Sequence, residues 1–152
     1  MKNNELKEII EFAVNNEVDS YQFYKDAAGK IADENLRKTF EELADEELKH
    51  QKFLEDFLAS GVNEIEIDEF NDYKVSESVD TAPQLSIEMS FADAIGLAMK
   101  KEEEAMNMYK SLAEVCLDKE KKEIFDGLAK MEQMHKARLE EIYTNASYAE
   151  VW

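Results

Sequence analysis

Two short stretches carry residues equipped for chemistry. Glu47-Leu48-Lys49-His50 and Glu132-Gln133-Met134-His135 each place a histidine three residues after a glutamate, and His50 and His135 are the only histidines in the chain. On a helix such a pair lies on one face, about a turn apart. Carboxylate with imidazole is a ligand set that suits iron, manganese and, less specifically, zinc. A single Glu-x-x-His is a weak signal, but its setting strengthens it. Leu36, Phe40, Leu43, Leu54 and Phe57 recur at steps of three and four, and Glu47 and His50 fill two places in that stripe where apolar residues are expected. The pair is therefore expected to face a core.

The elements that must position these residues are long helices. The chain has 152 residues, only four Gly and one Pro, and abundant Glu, Lys, Leu, Ala and Met, which suggests one all-α domain large enough to bury a core. The periodicity predicts a first helix over ~4–30 and a second over ~34–59, with Asp33 as N-cap and Ser60-Gly61 as stop. Residues ~61–89 lose helical periodicity, gain acids and contain Pro83, so they read as a long crossover, with Glu64 to Asp68 a short extended piece or an acidic strap. Ser90-Phe91-Ala92-Asp93 resembles a capping box opening a third helix over ~91–116. A tight connection near Leu117-Asp118 leads to a fourth over ~119–145. The domain is expected to span 1–147, with a short tail from Tyr148 to Trp152.

Charge and cysteine content exclude several function classes. A net charge of −18, from 18 basic and 36 acidic residues, repels phosphate backbones and anionic lipid heads, so neither nucleic acid nor a membrane surface is an expected partner. The start, Met1 to Glu5, lacks the apolar run of a signal peptide, and no stretch approaches the roughly 18 apolar residues of a membrane span. A cytoplasmic location is expected. The single cysteine, Cys116, allows no internal disulfide and no four-cysteine metal module, and reads as a small apolar residue near a helix end.

The two halves superimpose in sequence at a constant offset of 85 without a gap. Ile10 falls on Ile95, Ala13 on Ala98, Glu17 on Glu102 and Tyr24 on Tyr109; Phe40 falls on Phe125, Leu43 on Leu128, Glu47 on Glu132, His50 on His135 and Leu54 on Leu139. The chain is thus an internal repeat of one helical hairpin, and a bundle with pseudo-twofold symmetry is expected. Glu17 and Glu47 each lie about fifteen residues from the turn between the first two helices, ~22 Å along the axis, hence at the same height. Glu102 and Glu132 repeat the arrangement. Six side chains, Glu17, Glu47, His50, Glu102, Glu132 and His135, are expected to converge at mid-height. Four buried carboxylates repel one another, and each unpaired buried ion costs several kcal/mol; Lys25, Lys49 and Lys110 lie off the inward stripe. Two divalent cations balance the four negative charges with both imidazoles neutral, and one oxide balances the charge that oxidation would add. A redox pair, two iron ions per chain or manganese in their place, is therefore favoured over a structural metal. Tyr24 and Tyr109, two turns beyond Glu17 and Glu102, are expected to hydrogen-bond carboxylates of the opposite hairpin and orient them. Met99, Met106, Met108, Met131 and Met134 read as adaptable core filler.

The pattern of one Glu from each of two helices and Glu-x-x-His from each of the other two is the ferritin-like di-iron carboxylate pattern. The chain resembles the rubrerythrin branch of that superfamily in Ala13 to Glu17 through Phe23-Tyr24, Leu43 to His50, Ala98 to Glu102 through Met108-Tyr109, and Leu128 to His135. The resemblance covers all four expected helices. It implies a ferritin-like four-helix bundle, often a homodimer, that reduces hydrogen peroxide or dioxygen in an oxidative-stress role. Two departures stand out. The rubredoxin-like module typical of rubrerythrins has no counterpart here, so turnover would need an external electron donor, rubredoxin-like or a flavoprotein. Ala105 stands where typical rubrerythrins carry a second third-helix glutamate, while Glu103 and Glu104 are rotated roughly 100° and 200° from Glu102. The favoured function is a di-iron oxidoreductase of peroxidase type. The alternatives are a ferroxidase feeding iron storage and a non-enzymatic acidic helical adaptor.

Overall fold

The computed structural model describes residues 3–60, 85 and 87–145. Among the described residues four helices make up the fold: α1 (Asn3–Lys30), α2 (Glu34–Ser60), α3 (Phe91–Val115) and α4 (Lys119–Asn145). They match the expected spans to within a residue at each end. The expected strap over 64–68, Pro83, Gly61 and the tail from Tyr148 lie outside the described residues.

Local chemistry sets the helix starts. Oδ2 of Asp33 accepts from the Leu36 amide at 2.8 Å while the Asp33 carbonyl accepts from Arg37 at 2.9 Å. Ser90 is extended, with φ −61° and ψ 155°, and its Oγ accepts from the Asp93 amide at 3.2 Å. Asp118 opens α4 through Oδ1, which accepts from the Glu120 amide at 2.9 Å. Each such cap contributes about 1 kcal/mol by satisfying an amide that has no partner within the helix. Both intra-hairpin connections are three residues long, 31–33 and 116–118, so α1 packs antiparallel on α2 and α3 on α4. Cys116 is the buried C-cap of α3.

Apolar burial divides into two clusters. One joins Leu6, Ile10 and Ala13 at the start of α1 to Leu54 and Phe57 at the end of α2, Tyr109 and Leu112 near the end of α3, and Phe125 and Leu128 early in α4. The other joins Tyr24 and Ala28 late in α1 to Phe40 and Leu43 early in α2, Phe91 and Ile95 at the start of α3, and Leu139 late in α4. Adding or subtracting 85 carries Ile10, Ala13, Leu54, Tyr109 and Phe125 of the first onto Ile95, Ala98, Leu139, Tyr24 and Phe40 of the second. The repeat is therefore a repeat of packing. Because α2 ends in one cluster and α3 begins in the other, the crossover connects opposite ends of the bundle. Leu85, Ile87 and Met89, just before α3, pack against the second cluster, and Lys30 Nζ donates to the Ile87 carbonyl at 3.2 Å.

Between the clusters, along every helix, lies a polar interval: Glu17 on α1, Glu47 and His50 on α2, Glu102 on α3, Glu132 and His135 on α4. Among the methionines, Met108 is buried and Met99 and Met106 pack at the core's edge, but Met134 is 59% exposed. It lies one residue before His135 and is turned away from the inward face.

Candidate metal centre

All six side chains of the polar interval are buried: His50 is 7% exposed and the other five 3% or less. They form two groups in which each residue offers one ligand atom and these atoms lie within 4.8 Å of one another. Glu17, Glu47, His50 and Glu132 make the first, and Glu47, Glu102, Glu132 and His135 the second. Glu47 and Glu132 belong to both. The two groups thus stand side by side on the bundle axis and share the carboxylates of α2 and α4.

The pseudo-twofold relation holds at the level of atoms. Nδ1 of His50 lies 2.9 Å from Oε1 of Glu132 and 3.7 Å from Oε2 of Glu17. Nδ1 of His135 lies 2.8 Å from Oε1 of Glu47 and 3.7 Å from Oε2 of Glu102. The two rings face each other at a 5.8 Å centroid separation, 15° from parallel. On the far side of each α1 or α3 carboxylate stands a tyrosine. Tyr109 donates to Oε1 of Glu17 and Tyr24 to Oε1 of Glu102, both at 2.7 Å. Each tyrosine fixes one carboxylate oxygen, leaving Oε2 of Glu17 and Oε2 of Glu102 buried without a hydrogen-bond partner among the described residues. A buried oxygen in that state carries a desolvation cost of about 1–3 kcal/mol, more when charged. A cation would remove that cost, and a divalent first-row transition ion such as iron or manganese fits a donor set of carboxylate oxygens and imidazole nitrogens.

The protonation of these side chains shows the same demand for positive charge. Burial, reinforced by repulsion from the neighbouring carboxylates, lifts Glu47 and Glu132 well above the usual carboxylate range. Burial acts on Glu17 too, but contacts with Glu47 and His50 and the Tyr109 hydroxyl outweigh it and hold Glu17 below its ordinary value. Glu102 is held down likewise, against burial, by Glu132, His135 and Tyr24. Burial disfavours charge on the imidazoles, yet Glu132 and Glu17 bring His50 up to about 10, and Glu102 and Glu132 bring His135 up to about 11. Burial and the adjoining carboxylates push both tyrosines well up, so their hydroxyls stay neutral donors.

A cavity of about 40 Å³ reaches the cluster between α1 and α3, room for a water-sized molecule. Glu17, Glu47, Glu102 and Glu132 line its floor, with Ala105, Met108 and Glu104 beside them. Helix α3 runs unbroken through this region. Glu103 is exposed and pairs with Lys136 at 3.6 Å, and Glu104 borders the cavity 4.0 Å from Lys100. Neither belongs to either ligand group.

One residue in contact with the site is absent from the sequence reading. Glu46, part-buried on α2, hydrogen-bonds Nε2 of His135 through its Oε2. Comparing the halves hides it, because the position 85 residues on is Met131. Its one visible signal is its place immediately before Glu47.

A profile of the rubrerythrin family matches residues 8–143. No curated protein matches the chain. Among solved structures, a hypothetical protein from Pyrococcus furiosus is similar at 28% identity and a TM-score of 0.69, covering 91% of this chain and 88% of its own. A protein from Thermotoga maritima, described provisionally as a ferritin-like diiron-carboxylate protein, shares the fold at 16% identity and a TM-score of 0.71, covering 95% of this chain and 96% of its own. With the match running from α1 into α4 over a four-helix bundle and two buried groups of side chains able to hold a metal ion, the chain belongs to the rubrerythrin family.

Proposed function

We propose that the chain is a di-iron oxidoreductase that reduces hydrogen peroxide, or dioxygen, with electrons from an external donor of rubredoxin-like or flavoprotein type. The observation that carries this reading is the sharing of Glu47 and Glu132 by two buried ligand groups. In it, Glu17 and His50 would hold one iron, Glu102 and His135 would hold the other, and Glu47 and Glu132, common to both groups, would contribute to each. Four carboxylates against two divalent ions leave no net charge in the core. When bound, such an iron pair would supply the two electrons that, with two protons, reduce hydrogen peroxide to two waters.

The chain's own residues prepare that step. Tyr24 and Tyr109 hold one oxygen of Glu102 and of Glu17, so the other stays turned toward the cluster. Apolar residues on both sides keep bulk water out, and electrostatic interactions strengthen accordingly. The cavity beside Ala105 admits a small neutral oxidant to the four carboxylates. With five of the six side chains at 3% exposure or less, larger substrates are kept away.

Stopped-flow oxidation of the anaerobically iron-loaded chain tests the proposal. Much faster reaction with hydrogen peroxide than with dioxygen is expected. Sustained oxidation of many irons per chain by dioxygen would instead indicate a ferroxidase feeding storage. Uptake of less than one metal per chain would indicate the non-enzymatic adaptor.

A further inference from the structure

We infer that Glu46 is a positioning residue for His135, and that it makes the two metal positions unequal. The inference rests on the two-metal reading above and concerns a contact that the repeat does not share.

Glu46 is rotated ~100° around α2 from Glu47, which turns it from the bundle axis to the side that meets α4. There its carboxylate meets Nε2 of His135, while Nδ1 of the same ring lies 2.8 Å from Glu47 and 3.7 Å from both Glu102 and Glu132. The ring thus spans two environments. Its outer nitrogen is occupied by a carboxylate, and its inner nitrogen faces the second ligand group. An Nε2–H that donates to Glu46 fixes the neutral imidazole in the tautomer whose Nδ1 lone pair points inward, and it raises that lone pair's basicity.

His50 occupies the related place and presents Nδ1 to Glu132 and Glu17 in the same way. Behind it the pattern breaks. The residue related to Glu46 is Met131, whose thioether is a weak acceptor, and among the described residues no carboxylate meets Nε2 of His50. His50 is also the more exposed ring, at 7% against 1% for His135. The consequence is a tighter position at His135, Glu102 and the shared pair, and a looser one at His50, Glu17 and the same shared pair. The cations then load in sequence, and the looser position exchanges more readily.

The test is anaerobic titration of the full chain with Co(II), followed by visible absorption and calorimetry, with ferrous Mössbauer spectra of 57Fe-loaded protein as a second readout. The wild type is expected to bind two cations in separable steps and to show two distinct quadrupole doublets. Glu46→Ala should weaken the tighter step by roughly 10- to 100-fold, the range for removing a group that orients a ligand, and bring the two doublets together. Met131→Glu should do the converse, strengthening the looser step. Glu46→Gln keeps the side chain's shape and serves if the alanine variant folds poorly; it too should selectively weaken the tighter step. Unchanged binding in both Glu46 variants, or equal weakening of both steps, overturns the inference while leaving the two-metal reading intact. Wild-type uptake of fewer than two cations per chain overturns both.

Discussion

The hydroxyl of Tyr24 on α1 donates to Oε1 of Glu102 on α3 at 2.7 Å, tying the two hairpins together at the buried polar interval itself. Tyr109 and Glu17 repeat the bond with the helices exchanged, at the same distance. Each tyrosine sits in the apolar cluster of one end and reaches back to the polar interval. Tyr24→Phe or Tyr109→Phe leaves a buried carboxylate oxygen without its donor, at a cost of about 1–3 kcal/mol. Urea unfolding of the metal-free protein should show losses of that size, similar for the two variants because their surroundings are related by the repeat. A change below about 0.5 kcal/mol, the level of an ordinary surface substitution, would mean the bonds do not form in solution.

Sharing of two carboxylates predicts a difference among ligand variants. Glu47→Ala and Glu132→Ala each remove a residue common to both groups, and should abolish paired binding. Glu17→Ala and Glu102→Ala each touch one group only, and should leave one cation bound per chain. Anaerobic Fe(II) titration distinguishes them. Equal stoichiometry in all four variants would contradict the assignment of shared and unshared roles.

The pH dependence has opposite signs with and without metal. In the metal-free protein, His50 and His135 rise from an unfolded value of 6.5 to about 10 and about 11. The stability they contribute is complete below 6.5 and is lost as pH rises through those values. Glu47 and Glu132, raised above their unfolded value of 4.5, also favour the fold less as pH rises past it. Glu17 and Glu102, held low, contribute above 4.5 and lose that contribution only in more acidic solution. Metal binding requires neutral imidazoles and ionised carboxylates, so it displaces protons and strengthens as pH rises. The gap in Tm between metal-loaded and metal-free protein should therefore widen from about pH 6 to about pH 8. Differential scanning calorimetry in matched buffers measures it, and a constant or narrowing gap would refute the proton inventory.

Access through the cavity between α1 and α3 makes a separate prediction. Ala105 is half-buried at its edge, and replacing it with Leu fills space beside Glu102 and Met108 without removing a ligand. Iron stoichiometry should be unchanged, whereas oxidation of the loaded protein by hydrogen peroxide should slow by about tenfold, equivalent to about 1.4 kcal/mol on the barrier. Unaltered rates would mean the oxidant enters elsewhere.

How much of this was legible in the sequence follows from what generates each feature. The four helices and their caps at Asp33 and Ser90 come from local periodicity and side-chain chemistry, which act within a turn or two. The convergence of Glu17, Glu47, His50, Glu102, Glu132 and His135 was legible because the repeat fixes heights and the apolar stripe fixes faces. The bonds from Tyr24 to Glu102 and from Tyr109 to Glu17 were foreseeable for the same reason. Glu46 was not, since its partner comes from α4 and the repeat offers Met131 in its place. Nor was the outward turn of Met134, because residue type alone does not separate a core methionine from one on the solvent side of a helix. The cavity beside Ala105 depends on how α1 and α3 pack at a position where a small side chain meets the cluster, which spacing along either helix does not reveal.

The central claim is that two metal ions sit together inside the bundle, held by six side chains. Iron content and Mössbauer spectroscopy of the chain, loaded anaerobically and then oxidised, test it most directly. Two irons per chain are expected, with the ferric pair spin-coupled to a diamagnetic ground state. One iron per chain, or two behaving as isolated high-spin ferric ions, would contradict it.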